Sequence, residues 1–192
     1  MSGGDSLRNQ FLVAMPGMED GHFSHSVSLI CEHNDEGAMG IVINRPTELL
    51  LGEMLEHIGI DAGPLLSEPF KPGSRHIFWG GPVQPERGFV IHRPGKEWES
   101  TLKIGDHFCI TTSKDILEAI GQNNGPEHYL ITLGYAGWTA GQLEQEILEN
   151  TWLNAPSDSA IIFDAPATER WHLAANSLGI DVSMLSSESG HA

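Results

Sequence analysis

Basic residues are scarce in this chain. Ten Lys and Arg stand against 26 Asp and Glu, which gives a formal net charge of −16. Binding to DNA or RNA draws much of its affinity from Lys and Arg on phosphates, so the composition argues against direct nucleic-acid contact. A modest group of cations in the middle of the chain is interpreted as solvated loop charges. Its members are Arg75, Arg87, Arg93, Lys96 and Lys103.

Cysteine and long apolar runs are also scarce. Cys31 and Cys109 are too few for a disulfide framework and do not match a zinc-site spacing. The apolar runs, such as residues 11–15, are far shorter than the roughly 20 residues that cross a bilayer. The first residues, MSGGDS, show neither a basic segment nor an apolar one, so no signal peptide is predicted. The sequence therefore predicts a cytosolic protein with both thiols reduced.

The remaining composition is that of an ordinary globular protein. The chain has 192 residues, and 40% of them are hydrophobic, which suits one domain with its own core. We therefore predict a single domain over 1–192, with flexible ends at 1–6 and 186–192.

Side-chain periodicity predicts an α+β fold, because strands come in groups and helices occur irregularly between them. Predicted strands cover 11–14, 26–32, 39–44, 76–79, 88–92, 107–112, 129–133 and 160–163. Predicted helices cover 51–58, 114–120, a segment after Thr139, and 168–178, where Trp171, Ala174, Ala175 and Leu178 form the buried side.

Turn and cap residues add detail to this prediction. Gly37 and Ala38 are predicted to turn a hairpin between the second and third strands, and Thr47 to cap the first helix. The segment 61–74 is rich in Pro and Gly, and we predict a loop that is the best candidate for a mobile or functional insertion.

The most informative segment is 134–154, GYAGWTAGQLEQEILENTWLN. A glycine-rich stretch with two large aromatics runs into a helix start. Thr139 is a candidate N-cap, with Gln142 at the capping-box spacing. Further blocks occur in order along the chain: LRNQFLVAMP at 7–16, VSLICEHN at 27–34, GAMGIVINRP at 37–46, WGGPV at 79–83, RGFVIH at 87–92, TTSKD at 111–115 and GHA at 190–192.

With these blocks the chain resembles the bacterial YqgE/AlgH family over nearly its whole length. The resemblance implies a mixed, strongly bent β-sheet that approaches a half-barrel, with several flanking helices. It also implies a regulator of transcription, through a link of some members to alginate regulation. That label points to a pathway and gives no mechanism.

Cys31 and His33 offer two interpretations. On a regular strand both side chains project from one face, and a nearby imidazole could activate the thiol. Cys31 also continues the apolar face of Val27 and Leu29, which is typical of a buried structural cysteine. The pair is the candidate for a catalytic or redox site.

Glycine-rich segments offer a candidate ligand site. The stretch 134–137 lies before a predicted helix, where free N–H groups and the helix dipole favour an anion. It matches neither a P-loop nor a dinucleotide fingerprint, and its glycines equally suit close backbone contact. The candidate ligand-binding residues are Gly80, Gly81, Gly134, Tyr135, Gly137, Trp138, Asn44 and Arg45.

No metal or cofactor is predicted. The nearest histidines, His22, His25 and His33, match no metal-binding pattern. Glu146 and Glu149 share one side of the predicted helix and are interpreted as a solvated acidic face.

Two functions follow from these features. The first is a non-catalytic regulator that acts through an unknown protein or small-molecule partner, without direct DNA contact. The second is an enzyme or redox sensor that uses Cys31 and His33 in a glycine-lined pocket. A weaker third idea is an acidic face that mimics nucleic acid and binds a basic partner.

Overall fold

The computed structural model describes residues 6–18, 21–63 and 75–179. The predicted loop at 61–74 falls mostly on 64–74, and the predicted flexible ends fall on 1–6 and 186–192. Apart from Ser6 and residues 61–63, these segments lie outside the described residues.

Within the described residues, ten strands form one curled sheet. The strands are β1 (Gln10–Ala14), β2 (Val27–Asn34), β3 (Gly37–Val42), β4 (Pro46–Leu50), β5 (His76–Trp79), β6 (Val83–His92), β7 (Thr101–Ile104), β8 (Phe108–Thr111), β9 (Tyr129–Thr139) and β10 (Trp152–Pro156). The main path runs β10-β1-β2-β3-β9-β6-β8-β7, and β4 joins through β5. All described pairings are antiparallel except that of β5 with β9.

Strand β9 is long and changes its neighbours along its length. Residues 129–133 and Tyr135 pair with β6, and 132–133 also with β5, whereas 136–139 pair with β3. The sheet curls strongly into a half-barrel with helices around it. The predicted α+β class and bent sheet are therefore confirmed.

Five α-helices flank the sheet in the described residues. They are α1 (Leu51–His57), α2 (Lys114–Gly121), α3 (Gln142–Leu148), α4 (Ser159–Phe163) and α5 (Arg170–Asn176), and a 3-10 turn (Ala167–Glu169) precedes α5. Among these residues no helix is long and apolar enough to span a bilayer.

Both faces of the central strands are buried. On β1, Phe11 packs into the cluster that α4 and α5 cover, whereas Leu12 packs into the cluster that α3 covers. A third cluster lies beneath α1 and α2. Full burial of a large aliphatic side chain contributes about 1.5–3 kcal/mol. Because β1 buries side chains on both faces, helices pack on both faces, with α4 and α5 on one and α3 on the other.

Several predicted elements are wrong in detail. The hairpin turn lies at residues 35–36, and Gly37 already belongs to β3. Thr47 lies in β4, where its hydroxyl donates to the carbonyl of Ile77 at 2.6 Å, so it does not cap α1. Strands β4, β7 and β10 were not predicted, because short strands at sheet edges carry weak alternation.

The apolar run 160–163 forms a helix instead of the predicted strand. Asp158 caps α4, since its carboxylate accepts from the N–H of Ala160 at 2.9 Å. Periodicity cannot separate a buried helix from a strand in so short a run.

Candidate functional site

The glycine-rich stretch 134–137 is part of a strand. Gly137 and Trp138 pair with Met39 and Ala38 of β3, and α3 begins only at Gln142, after Gly141 with its φ of +77°. The predicted turn before the helix is therefore wrong, and so is Thr139 as its N-cap. Part of the expected contact is present, because the N–H of Thr139 donates to Oε1 of Gln142 at 2.9 Å. The anion-site hypothesis loses the turn on which it depended.

Gly80, Gly81 and Gly134 bring two backbone segments into direct contact. A Cβ on Gly81 would lie 2.1 Å from the carbonyl carbon of Tyr135, and one on Gly134 would lie 2.2 Å from the oxygen of Gly81. A Cβ on Gly80 would lie 2.4 Å from the oxygen of Gly134. These glycines serve close packing where β9 changes its neighbours. The ring of Tyr135 packs edge-on against the ring of Phe89, with 5.9 Å between the ring centres.

Trp138 and Trp152 share one carboxylate. Both indole N–H groups donate to Oε1 of Glu146, at 3.0 Å and 2.9 Å, and Gln142 donates to Oε2 at 2.9 Å. The two indole rings meet edge to face at 6.1 Å. A buried indole N–H needs an acceptor, so Glu146 fixes both rings in one orientation. Glu146 therefore does more than contribute to the predicted solvated face.

These rings form the floor of an open groove of about 440 Å³, here called the indole groove. It lies where the start of β6, the second half of β9, α3 and the loop before β2 meet. The ring of Phe23 from that loop lies edge-on to Trp152 at 5.7 Å. The lining residues are Met18, Phe23, Pro82, Val83, Ala136, Gly137, Trp138, Gln142, Glu146, Glu149, Thr151 and Trp152.

The charge of the indole groove is negative. Glu146 and Glu149 are its ionisable lining residues, and among the described lining residues none is Lys, Arg or His. Val83 and Gly137 add exposed apolar surface. Apolar walls with carboxylates at the rim suit a ligand that is partly apolar and carries positive charge.

Asn44 and Arg45 hold the loop before β2 by hydrogen bonds. The amide oxygen of Asn44 accepts from the N–H of Val27 at 3.0 Å, and its amide nitrogen donates to the carbonyl of His25 at 2.9 Å. The guanidinium of Arg45 donates to the carbonyl of Ser24. Both predicted ligand-binding side chains thus hold the loop that carries Phe23, and neither lines the groove.

Cys31 and His33 point to opposite faces of β2. A β-bulge at Cys31 shifts the register between Ile30 and Glu32, and such an extra residue reverses the alternation beyond it. Cys31 packs into the cluster beneath α4 and α5, whereas His33 stands opposite Ala38 on the α3 side. The expectation that the two side chains share a face is wrong.

The surroundings of Cys31 and His33 are those of structural residues. Cys31 is 1% exposed, and burial raises the pKa of its thiol well above the usual range. Nδ1 of His33 accepts from the N–H of Leu7 at 2.8 Å, so Nε2 carries the proton and donates to Glu144 at 3.0 Å. This hydrogen bond lowers the pKa of the Glu144 carboxyl.

Cations and possible metal ligands are dispersed over the described residues. Arg75, Arg87 and Lys96 each lie over a separate aromatic ring, at 4.5 Å, 5.3 Å and 4.5 Å, and form no common stripe. No cluster of three or more His, Cys, Asp or Glu suited to a metal ion occurs in the part of the chain that the structure describes. His25 instead lies against the ring of Trp171 at 4.5 Å.

Sequence reasoning found the segment of the groove but missed its composition. The sequence pattern predicts Glu146 only as part of a solvated face, and it gives no link between Glu146 and Phe23 or Trp152. The spacing of Gln142 and Glu146, four residues apart on one helix side, was the available signal.

Comparisons with known proteins agree on one family. The profile of the AlgH-like family matches residues 11–183. A UPF0301 protein of Methylococcus capsulatus is 50% identical over 185 residues, which cover 96% of this chain and 96% of that protein. A UPF0301 protein of Nitrosococcus oceani is 52% identical over 186 residues, covering 97% of each.

Two solved structures are similar in fold. The solution structure of the AlgH protein from Pseudomonas aeruginosa has a TM-score of 0.77 and 47% sequence identity, and covers 100% of this chain and 99% of that one. A crystal structure of a protein from Corynebacterium diphtheriae has a TM-score of 0.74 at 19% identity, covering 97% and 94%. The second likeness concerns the fold alone.

Proposed function

We propose, on the premise that this chain belongs to the AlgH-like family, that it is a non-catalytic regulatory protein which binds a basic segment of a partner protein in its indole groove. The proposal keeps the cytosolic location that the sequence predicts. It assigns any effect on transcription to contact with that partner.

The observation that carries the proposal is the carboxylate of Glu146 between two indoles. Because Trp138 and Trp152 are already held by hydrogen bonds, the floor of the groove needs little rearrangement on binding. A preformed site loses less conformational entropy when its ligand arrives. The fixed rings supply an apolar surface of the kind that dominates protein interfaces.

Charge supports a basic partner. The lining carries Glu149 and, between the floor indoles, Glu146, and the net charge of −16 steers cationic molecules toward the protein. Arginine and lysine side chains gain further from the faces of aromatic rings. The same negative charge repels the phosphate backbone of DNA. We therefore expect no specific DNA binding in a gel mobility-shift assay at physiological salt.

Synthetic peptides test the proposal. We would titrate a peptide of alternating Arg and Leu, and a matched peptide of Glu and Leu, into the protein at physiological salt by calorimetry. We expect saturable binding of the basic peptide alone, accompanied by a change in tryptophan emission. Equal binding of both peptides, or of neither, would contradict the proposal.

Matched variants locate the binding. Glu149→Lys reverses a rim charge, and Glu118→Lys makes the same change in net charge on α2, outside the groove. Val83→Ser and Leu102→Ser each remove an exposed strand hydrophobic, 36% and 41% exposed, and only Val83 lines the groove. We expect Glu149→Lys to weaken binding about tenfold, which is about 1.4 kcal/mol. Val83→Ser should act in the same direction, and both controls should leave affinity unchanged.

The alternative of an enzyme or redox sensor has less support. It requires Cys31 and His33 to act together, and the bulge in β2 separates them. Rapid alkylation of Cys31 by iodoacetamide in the native protein at neutral pH would restore that hypothesis, because it would require an accessible thiolate.

A further inference from the structure

Arg170 is a buried cation that forms no ion pair with the described residues. It is 7% exposed. Its Nε donates to the carbonyl of Ala165 at 3.1 Å, and its Nη1 donates to the carbonyl of Ile43. Burial lowers the pKa of the guanidinium to about 10, so it stays protonated at neutral pH. A buried charge is costly unless an opposite charge compensates it.

Arg170 lines a cavity of about 310 Å³ between β5, the first half of β9, α4 and α5, here called the arginine cavity. Arg75 and His76 supply further basic groups, and no described lining residue is acidic. The guanidinium of Arg75 lies 4.5 Å from the ring centre of Tyr129. The lining of this cavity is therefore basic, although the chain as a whole carries a net charge of −16.

Apolar side chains form much of the remaining wall. They include Phe78, Ile131 and Phe163, and the guanidinium of Arg170 lies 5.1 Å from the ring centre of Phe78. The volume is at the lower end of the range of about 300–1,000 Å³ for small-molecule sites. A ligand of this cavity must therefore be small, largely apolar, and anionic at one end.

We propose that the arginine cavity binds a small organic carboxylate with an aromatic or branched apolar body, whose carboxylate pairs with Arg170 and Arg75. A planar guanidinium matches a carboxylate in shape and charge. One negative charge compensates the single buried cation, and the apolar body replaces water along the ring walls. The inference uses none of the residues of the indole groove and is independent of its partner.

Nuclear magnetic resonance tests the site directly. Protein labelled with nitrogen-15 would be titrated with benzoate, phenylacetate and 4-methylpentanoate, each beside its neutral amide, and with inorganic phosphate. The Nε–H of Arg170 is hydrogen-bonded and buried, so its resonance reports on the guanidinium. We expect at least one carboxylate to shift this resonance and the amides of Ile77 and Ile131 saturably. The neutral amide analogues of these ligands, and inorganic phosphate, should shift these protein resonances far less.

Variants separate ligand binding from a structural role of the arginine. Arg75→Gln, on an exposed side chain, should weaken carboxylate binding about tenfold, and Arg170→Gln should abolish it. If Arg170→Gln does not fold, Arg170→Lys replaces it in this test, because lysine keeps the positive charge and lacks the planar guanidinium. Arg87→Gln, whose cation lies over Phe89 outside the cavity, should leave carboxylate binding unchanged. The proposal is overturned if no carboxylate gives saturable shifts up to millimolar concentration, if carboxylates and amides act alike, or if phosphate binds equally well.

Discussion

The two halves of strand β9 border two pockets of opposite charge. Before Gly134, Tyr129 and Ile131 line the arginine cavity. After it, Gly137 and Trp138 line the indole groove. The same strand therefore contributes to a basic pocket and to an acidic one, and Gly134, with its φ of +82°, lies between the two segments.

The two pockets differ in how their charges are satisfied. Glu146 accepts three hydrogen bonds, two of them from indoles, so its charge organises the protein itself. Arg170 has two neutral carbonyls and no ion pair among the described residues. A charged group whose hydrogen bonds are all made within the protein stabilises the fold. A buried charge without an opposite charge nearby is costly, and a ligand of opposite charge would gain affinity by compensating it.

The largest effect is expected at Gly134, which lies between the β9 residues that line the two pockets. Gly134→Ala should lower the free energy of unfolding by about 2–5 kcal/mol. Alanine is strained at a φ of +82°, and its Cβ would lie 2.2 Å from the oxygen of Gly81. Gly137→Ala is the control, because its Cβ meets nothing nearer than 3.8 Å. Urea unfolding measures both variants, and equal midpoints would show that Gly134 is not required for close backbone packing.

The next effect tests the carboxylate of the groove. Glu146→Ala should cost about 2–4 kcal/mol, because two indole N–H groups lose their acceptor and each loss costs about 1–3 kcal/mol. Glu146→Gln keeps an acceptor oxygen and should cost about 1 kcal/mol. Glu149→Ala, at the C-cap of the same helix, should change stability by less than about 0.5 kcal/mol. If Glu146→Ala matched Glu149→Ala in denaturant unfolding, Glu146 would have no structural role.

A smaller effect is expected for the cation of the cavity. Arg170→Met should change the free energy of unfolding by about 1 kcal/mol or less, because the lost bonds to two carbonyls are offset by removal of a buried charge. Thermal and urea unfolding measure the difference. A loss comparable to that of Glu146→Ala would mean that Arg170 is a structural clamp, and the contrast between the pockets would disappear.

The smallest effect concerns the contact that joins α3 to β2 beside the groove. Because its pKa is lowered in the folded state, the ionised Glu144 stabilises the protein above its ordinary pKa. That stabilisation is lost as the pH falls through the lowered value. The side chain of Glu144 is 49% exposed, so we expect less than about 1 kcal/mol. Glu144→Gln should flatten this part of the stability profile, and an unchanged profile would show that the contact contributes nothing.

Local sequence signals predicted the elements whose stabilising contacts are close in the chain. The apolar spacing of Trp171, Ala174 and Ala175 predicts the buried side of α5, and Pro16 marks the region where β1 has ended. Hairpin β2–β3 was confirmed for the same reason, apart from its turn. The family resemblance, not periodicity, gave the curl of the sheet.

Long-range contacts decided the features that were wrong or missed. The glycines at 134–137 look like a turn before a helix, but Gly134 meets Gly81, which is far away in the chain. The bulge at Cys31 carries no glycine or proline signal. The contact of Arg170 with Ile43 joins residues 127 positions apart. Alternation, caps and turn residues report only on near neighbours.

By itself the sequence determined the fold class, the family, the net negative charge and the segment that carries the candidate groove. These depend on composition and on order along the chain, which need no knowledge of distant partners. Tertiary structure alone decided the sign of each pocket. It placed carboxylates around Trp138, where an anion site was predicted, and it buried Arg170 beside Phe78. The physical reason is that the fate of a charge depends on which groups the folded backbone brings within hydrogen-bond distance.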